Sequence, residues 1–452
     1  MKIVSKNNQI SNKFSLSVIL FVSFFIIGLV SFFVQIKYPP CCDADQYIEM
    51  ALHYFKAKEI SFFSWNDTVR PYGYPFLINL FMKLNLLNLP TIFWIFLCQI
   101  SLYFLAVFKI ASFFRTNYPK AHSEIILFGL LANIFIYPLL AITLTDGISI
   151  SLILFLVYFV LLSYQQLIDE IQSNNLFAYF FVIGSLLALL IEIRPANIYL
   201  FLPISFFLFS FLKQTSFVKF ISLFAIFLFG FLLFISPQIF LNLNSFEKLT
   251  WLPIHKQNEF FDAGAKLLKC NTNLTGSGGG LMCSVNPFYD GVSQNYLQFF
   301  INDFVGFFKT IFLHIYGGFY VNYYFPYVYK LNIAYSPLLF FISNFFLFFG
   351  LVGLVNFFML VRGTKSLGNF LLFFILLIIL GWASIHALIP LDIRYSLMIF
   401  QILSVSSILY FFKNYHVKIN YLYFFIFLLI AFYLDGIYDS NVQMLNSLKN
   451  IG

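Results

Sequence analysis

Long apolar segments separated by short polar ones run through almost the whole chain. A helix that crosses a bilayer needs about 20 consecutive, predominantly apolar residues. By this criterion we predict about eleven transmembrane helices. They are expected at residues 14–36, 91–112, 124–143, 147–166, 177–193, 196–212, 218–238, 336–361, 369–388, 395–412 and 420–435. The pattern therefore predicts an all-α polytopic membrane protein, with residues 1–452 forming a single integral membrane domain.

Two segments between the predicted spans are long. In residues 37–90, apolar residues recur at helical spacing beside charged ones, which predicts amphipathic helices lying on the membrane surface. Residues 239–335 contain a glycine-rich stretch and then an aromatic-rich stretch at 298–330. We expect the aromatic-rich stretch to be interfacial or re-entrant. The alternative is a twelfth span, which would move the C-terminus to the other side of the membrane.

Composition and charge agree with this class of protein. Of the 452 residues, 61% are hydrophobic and 10% are charged, whereas a soluble domain has about 25% charged residues. The net charge is +8, but the basic residues are scattered over short loops, which indicates topology determinants and contacts with anionic lipid, not a nucleic-acid partner. Their alternation puts the N-terminus inside and both long segments, 37–90 and 239–335, outside.

Four cysteines fall on the predicted outer side of the membrane: Cys41, Cys42, Cys270 and Cys283. An oxidising compartment would permit disulfides there, and four cysteines allow three pairings. We favour Cys270–Cys283, which would close a short glycine-rich loop and contribute about 3 kcal/mol in the chain-entropy model. Four free thiols are the alternative. The Cys and His spacing matches no zinc-binding pattern, so no metal cluster is expected.

Ionisable residues gather at the predicted outer ends of the spans. A charge at the centre of a membrane helix costs roughly 2.5–3.5 kcal/mol, so ionisable groups at one membrane face usually serve a function. The residues concerned are Asp43, Asp45, Arg70, Asp146, Arg194, Asp392 and Arg394. Their distribution predicts a functional site at the outer face.

Three aspartates are the candidate catalytic residues. Asp43 and Asp45 follow the first span, where an ionised carboxylate can accept a proton from an attacking hydroxyl. The alternative is that they cap the surface helix that begins near them. Asp146 lies between two spans with almost no loop, and a lone Asp there needs a partner, a capping role or a substrate.

Cationic and aromatic residues are the candidate substrate-binding groups. Arg70 is expected to bind a phosphate or to anchor the chain at the interface. Arg194 is expected to bind substrate or to pair with Glu192, and Arg394 to reach an anionic headgroup or to pair with Asp392. The full set is Tyr47, Arg70, Tyr74, Arg194, Lys309, His386, Arg394 and Tyr395. A substrate with a lipid tail, a phosphate and a polar head would fit such a cavity.

Two short motifs resemble those of GT-C glycosyltransferases, the superfamily of protein O-mannosyltransferases and lipid A aminoarabinose transferases. In that superfamily an outer loop after the first span begins with Asp, a Tyr follows four residues later, and an Arg/Lys-Pro turn with an aromatic comes downstream. Asp43-Ala44-Asp45-Gln46-Tyr47 and Arg70-Pro71-Tyr72-Gly73-Tyr74-Pro75 match in order. Thr145-Asp146, Arg194-Pro195 and Arg394-Tyr395 also fall where the superfamily keeps charged residues. Ala44 replaces the usual Glu, so Asp45 competes with Asp43 for the catalytic role, and only one proline of the usual pair matches.

The resemblance implies transfer of a sugar from a polyprenyl-phosphate donor to a lipid, glycan or protein acceptor at the outer face. Asp43 would be the general base for an inverting displacement, and Arg194, Arg394 and Lys309 would hold the departing phosphate. No cofactor or metal is expected, although Asp43, Asp45 and Asp146 would bind a divalent cation if they converged. The resemblance also favours a bacterial inner membrane, with the site facing the periplasm.

Two other functions are compatible with the sequence. An O-antigen or capsule polymerase or ligase also has many spans and a large outer loop, but it does not require an acid directly after the first span. A transporter would have paired charges deep within its spans and repeats of inverted topology, and the sequence has few such charges and no convincing repeat.

Overall fold

The structure is a computed structural model. It describes residues 3–37, 43–56, 71–84, 90–117, 123–169, 175–251, 264–273, 280–289, 291–293, 296–319, 337–361, 366–388, 393–412, 421–440 and 442–445. The predicted site residues Arg70 and Asp392, together with Cys41 and Cys42, lie outside these residues. Asp43 begins a helix, but its side chain is outside the description.

The described chain is a helical bundle with a small sheet at one end. The helices are α1 (Ile3–Gln35), α2 (Asp43–Lys56), α3 (Gly73–Leu84), α4 (Thr91–Asn117), α5 (Ser123–Leu131), α6 (Tyr137–Leu140), α7 (Thr145–Ile168), α8 (Asn175–Ile193), α9 (Phe201–Gln214), α10 (Phe217–Phe246), α11 (Tyr296–Asn302), α12 (Phe304–Gly317), α13 (Pro337–Val361), α14 (Ser366–His386), α15 (Leu397–Phe412) and α16 (Tyr421–Ser440). Three 3-10 helices lie at Ile134–Ile136, Pro195–Leu200 and Ile393–Ser396, and the strands are β1 (Leu267–Asn273), β2 (Gly280–Val285) and β3 (Val442–Leu445).

The prediction of an all-α polytopic membrane protein is confirmed. Within the described residues, nine helices are long and apolar enough to cross a membrane. The predicted span at 124–143 is a broken one, because Ser123–Leu131 and Ile134–Leu140 meet at 41°. The predicted span at 420–435 corresponds to α16, which has a shorter apolar stretch at Leu422–Ile437. Helices therefore occupy all of the predicted spans.

The break between α5 and α6 is stabilised by side chains of neighbouring helices. In an apolar environment, non-helical backbone persists only where other groups bond its freed carbonyls. Tyr103 of α4 and Gln401 of α15 both donate to the carbonyl of Leu130. Asn133, at the break itself, donates to Gln401 Oε1 over 3.1 Å. We call Tyr103, Asn133 and Gln401 the amide network.

Helices α8 and α10 cross closely through two glycines. A Cβ atom on Gly184 would collide with the carbonyl of Phe227, and one on Gly230 with the carbonyl of Phe181. Small residues at helix crossings let backbones approach, and this is a main source of packing energy inside a bilayer, where water does not drive helices together. This crossing holds the end of α8 at which Arg194 lies.

Helices α2 and α3 occupy the segment in which surface helices are predicted. Asn79 of α3 donates to the carbonyl of Ala51 in α2 over 3.0 Å, and the rings of Tyr47 and Tyr74 meet edge to face at 5.2 Å. Gly73, at the start of α3, packs on the backbone of Glu192 near the end of α8. The first long segment therefore lies against the same end of the bundle as Arg194.

The second long segment contributes a small sheet that the sequence analysis does not predict. Strands β1, β2 and β3 form an antiparallel sheet in that order, and the Cα atoms of Cys270 and Cys283 are direct partners in it. Partners in antiparallel strands lie about 4.5–5.5 Å apart, within the range of a disulfide. The Cys270–Cys283 bridge stays a prediction that this register favours. In the described part of 298–330, α11 and α12 are each shorter than a span.

Candidate active site

A buried ion cluster lies where four helix ends meet. Asp146 is in the first turn of α7, and its side chain is fully buried. Arg194, just beyond the end of α8, is ion-paired to Asp146 Oδ1, and Nη1 of Arg394 lies 3.6 Å from Oδ2. The structure thus brings together three of the ionisable residues that the sequence places at span ends. We call Asp146, Arg194 and Arg394 the ion cluster.

Breaks in the helices bring these side chains together. Arg194 has an extended backbone, and Pro195 then begins a 3-10 helix, because proline fits the first position of a helical turn. Arg394 lies in the short 3-10 helix that precedes α15. Leu144 is likewise extended directly before α7. At each break one helix ends and the next begins, so the polar residue in the turn lies at the end of the bundle.

Aromatic rings line the cluster. The guanidinium carbon of Arg194 lies 4.3 Å from the ring centroid of Tyr395, and that of Arg394 lies 5.9 Å from it. The carbonyl of Tyr395 accepts a hydrogen bond from Trp382 over 2.9 Å. The ring of His386, at the end of α14, lies 5.4 Å from that of Tyr395. Stacking on a ring restrains a guanidinium group without using its hydrogen-bond donors.

The ion cluster places two guanidinium groups beside a small cavity. Arg194 and Arg394 both contact the carboxylate of Asp146, and the three side chains are 13%, 10% and 0% exposed. Both arginines also line the polar cavity, so they can reach an anionic ligand placed there. Planar guanidinium groups match phosphate geometry. Asp146, held by both arginines, is better suited to orienting them than to accepting a proton.

Two cavities lie near the cluster. The polar cavity has a volume of about 30 Å³, room for a water or two. Its walls include Asp146, Ser149, Arg194, Asn197, His386, Arg394 and Tyr395. The apolar cavity, of about 130 Å³, runs among α4, α5, α7, α13, α14 and α15. Met398 lines both cavities, so the apolar cavity lies next to the polar one.

The first-loop candidates lie at the same end of the bundle. Asp45 is in the first turn of α2 and is partly exposed. Burial, followed by the negative charge of Glu49, raises the pKa of its carboxyl group. Tyr47 and Tyr74 are buried against each other. Burial also raises the pKa of the Tyr74 phenol well above its ordinary value, so Tyr74 stays a neutral hydroxyl.

The structure bears on two expectations from the sequence, the pairing of Glu192 with Arg194 and the position of Lys309. Glu192 does not pair with Arg194: both of its carboxylate oxygens are buried, without a hydrogen-bond partner among the described residues. Lys309, grouped by sequence with the phosphate-binding arginines, is exposed on α12, with Nζ 4.9 Å from the ring centroid of Phe288. Neither residue lines the polar cavity.

Sequence reasoning missed two uncharged polar residues of the cavity, Ser149 and Asn197. Asn197 donates to the carbonyl of Leu190 over 2.9 Å and contacts the Ser149 hydroxyl at 3.4 Å. Each lies three residues after a member of the ion cluster, Asp146 or Arg194, and so comes from the adjoining helical turn. This three-residue spacing from a charged residue is the sequence signal by which Ser149 and Asn197 could have been found. Among the described residues, no group of three or more His, Cys, Asp or Glu side chains is arranged to hold a metal ion.

The helical membrane fold and a comparison with known families define the class: the protein is a GT-C superfamily membrane glycosyltransferase, an enzyme dependent on polyprenyl-phosphate sugars. The model of the Alg9-like mannosyltransferase family matches residues 19–256, which is more than half of the 452 residues. The chain belongs to the Alg9-like mannosyltransferase family. No curated protein and no solved structure matches the chain significantly.

Asp146 and Arg194 lie inside the matched region, whereas His386, Arg394 and Tyr395 lie beyond it. The ion cluster therefore joins a segment that carries the family pattern to one that does not, and the second half of the chain supplies part of the cavity wall.

Proposed function

We propose that the protein transfers a mannosyl residue from a polyprenyl-phosphate donor to a hydroxyl group of a glycan or lipid acceptor. The observation that carries this proposal is the ion cluster, in which two arginines line a polar cavity that shares the wall residue Met398 with an apolar cavity. The family supports mannose as the sugar. The donor's phosphate, sugar and lipid each find a matching surface in this region.

The ion cluster supports departure of the phosphate. As the bond between the sugar's anomeric carbon and the phosphate oxygen breaks, negative charge grows on the polyprenyl phosphate. Arg194 and Arg394 are positioned to stabilise that charge, and groups fixed in advance in a site of low polarity are the most effective at doing so. Asp146 holds both guanidinium groups in place. Its role in this proposal is to position them, which replaces the catalytic role expected from the sequence.

The apolar cavity supports binding of the lipid chain. Aliphatic and aromatic side chains line it almost throughout, with Gln401 and Ser406 as its polar members. Burying an isoprenoid unit there is favourable by about 25 cal/mol per Å² of apolar surface removed from water. Met398 lines both cavities, and in this proposal a lipid in the apolar cavity carries its phosphate past Met398 toward the arginines.

The general base in this proposal is Asp43 or Asp45, at the start of α2. One carboxylate takes the proton of the acceptor hydroxyl as its oxygen attacks the anomeric carbon from the face opposite the phosphate, which inverts the configuration. The raised pKa of Asp45 makes it the stronger base while it is ionised. Asp146 is the poorer candidate because two arginines already hold it.

We further propose that the site faces outward from a bacterial inner membrane, toward an acceptor in the cell-envelope glycan such as lipopolysaccharide. The distribution of basic loops supports the outward orientation, because the loops rich in Lys and Arg lie at the membrane face opposite the predicted site.

The test is a transfer reaction with purified protein in lipid nanodiscs, a labelled polyprenyl-phosphate mannose and candidate lipid, glycan and protein acceptors, with mass spectrometry of the product. We expect a new glycosidic bond and inverted anomeric configuration. Arg194→Ala should abolish transfer, whereas Arg115→Ala, an exposed arginine at the end of α4, should not. A labelled lipid that crosses the bilayer without any covalent product would contradict the proposal and indicate a transporter.

A further inference from the structure

One ring nitrogen of His386 is hydrogen-bonded within the protein, and the other has no partner among the described residues. Nδ1 lies 2.8 Å from the carbonyl oxygen of Trp382, one turn earlier in α14. A carbonyl oxygen only accepts, so Nδ1 carries a hydrogen and donates it. Nε2 is buried and has no hydrogen-bond partner among the described residues. The side chain is 1% exposed and lines the polar cavity.

The charges around His386 keep its ring neutral. Arg194 and Arg394 line the same cavity as His386. A third buried cation beside two guanidinium groups would be disfavoured. With the hydrogen on Nδ1, the neutral ring presents a bare lone pair at Nε2. The polar cavity therefore contains a hydrogen-bond acceptor closed off from solvent.

The rings around His386 fix its orientation. Trp382 stacks on it with centroids 5.5 Å apart, and the rings of Tyr199 and Tyr395 lie at 6.2 and 5.4 Å. A ring held in this way cannot turn readily to find another partner. An unsatisfied buried acceptor costs free energy, and such groups in native structures usually await a ligand or a water.

We propose that Nε2 of His386 accepts a hydrogen bond from one hydroxyl of the donor's sugar and so selects the sugar that the enzyme transfers. The inference rests on the proposed function, since that function puts the donor phosphate on Arg194 and Arg394, in the same cavity as His386. The sugar is joined directly to that phosphate, so its hydroxyls are the donors nearest to Nε2. His386 is then a specificity residue and takes no proton in the reaction.

The test combines one variant with a series of donors. His386→Phe keeps the aromatic stacking and removes both nitrogens, and the donors are polyprenyl-phosphate mannose and its 2-, 3-, 4- and 6-deoxy analogues. With the wild type, one deoxy analogue should lose about tenfold in kcat/KM, the size of a single hydrogen bond. His386→Phe should lose about tenfold with the parent donor and nothing further with that one analogue.

Three controls separate this role from a structural one. His386→Gln, whose amide oxygen can accept, should recover part of the loss with the parent donor only. Ser384→Ala, at an exposed position of the same helix, should leave the whole donor series unchanged. Should His386→Phe fail to fold, the Gln variant carries the same donor comparison.

Two outcomes overturn the inference, and they differ from each other. If the His386 variants slow all five donors equally, the ring has a structural role and does not bind the sugar. If the wild type transfers no mannose from any polyprenyl phosphate, the proposed function fails, and the inference fails with it.

Discussion

The bundle contains two buried polar regions, the amide network at the α5–α6 break and the ion cluster at the helix ends, and they differ in what their polar groups face. In the amide network, Gln401 accepts from Asn133 and donates to the Leu130 carbonyl, so both ends of its amide are occupied by protein groups. Asn133 Oδ1 is the one atom of this network without a partner among the described residues. The two arginines of the ion cluster and the bare nitrogen of His386 instead line a polar cavity, which a ligand can enter.

This difference separates a structural role from a functional one without reference to position in the chain. A network that the protein satisfies by itself stabilises the folded state. A polar network that borders a cavity and keeps an unused acceptor indicates a candidate site, because a ligand can supply the missing partner. Substitutions in the two regions should therefore affect different measurements.

The largest effect is expected from Asp146→Asn. The change removes the carboxylate that both buried arginines contact, so the phosphate site should lose its geometry and transfer should fall by about a hundredfold or more. Stability should also fall, by about 3–5 kcal/mol, in the absence of an anionic ligand. Transfer assays and thermal unfolding in nanodiscs check both. Asp169→Asn, at the exposed far end of α7, is the control. Full activity of Asp146→Asn would show that the ion cluster is not part of the active site.

The converse change is Asn133→Leu in the amide network, at a residue that lines neither cavity. Loss of the amide leaves Gln401 Oε1 with one donor fewer, so the protein should be less stable by about 1–3 kcal/mol. Activity per folded molecule should be unchanged, which a transfer assay normalised to monodisperse protein will measure. If transfer falls while stability does not, the distinction between the two regions is wrong.

The two arginines should differ when each is replaced by lysine. Lysine keeps the charge but loses the planar fork and the stacking on Tyr395. Arg194 lies closer than Arg394 to both Asp146 and the Tyr395 ring, so Arg194→Lys should lose about tenfold to a hundredfold in kcat and Arg394→Lys less. Arg115→Lys is the matched control. Equal losses would mean that Tyr395 does not restrain either arginine.

Filling the apolar cavity should affect donor binding more than turnover. Val157→Phe places a ring in the cavity, whereas Leu162→Phe places the same ring on α7 at a position outside it. We expect KM for the polyprenyl donor to rise several-fold in the first variant, with kcat retained, and both values to stay unchanged in the second. A short-chain donor should be less sensitive to Val157→Phe, and equal sensitivity of both donors would argue against lipid binding there.

The smallest effect is a shift in pH dependence that distinguishes Asp45 from Asp43. A base must be ionised, so transfer falls as pH drops through the pKa of the carboxyl group. Burial and Glu49 raise the pKa of Asp45, which moves that fall to higher pH than for an ordinary Asp. Glu49→Gln removes one raising cause, so the fall in kcat/KM should move to lower pH. An unmoved profile, together with an inactive Asp43→Asn, would assign the base to Asp43.

The sequence predicts the spans and the members of the ion cluster, because both depend on local properties. Runs of about 20 apolar residues are sufficient to identify spans, and Asp146, Arg194 and Arg394 are conspicuous because charges at span ends are rare. Their mutual contacts are not local, since α7, α8 and the turn before α15 meet only in the folded bundle. For that reason the sequence leaves Glu192 and Asp392 as rival partners, and the structure shows Asp146 as the partner of Arg194.

The sheet was not predictable for a different reason. Strands β1 and β2 do not alternate apolar and polar residues regularly, and their third partner, β3, comes from residues 442–445. Pattern rules recognise hairpins with tight turns and alternating apolar residues, and the hairpin here has neither signal in a strong form. Uncharged cavity residues such as Asn197 were missed because single amides in apolar helices have no distinctive sequence context.

Because β3 pairs with β2, the chain between these two strands must cross the bilayer an even number of times. Hydrogen-bonded strands must be on one side of a membrane, so the number of crossings between Val285 and Val442 must be even. Helices α13, α14, α15 and α16 supply four candidates for those crossings. A further crossing within residues 298–330 would make the number odd and separate two strands that are joined. With α16 as the fourth crossing, the pairing of β3 with β2 argues against the twelfth span and puts β3 on the same side as the ion cluster.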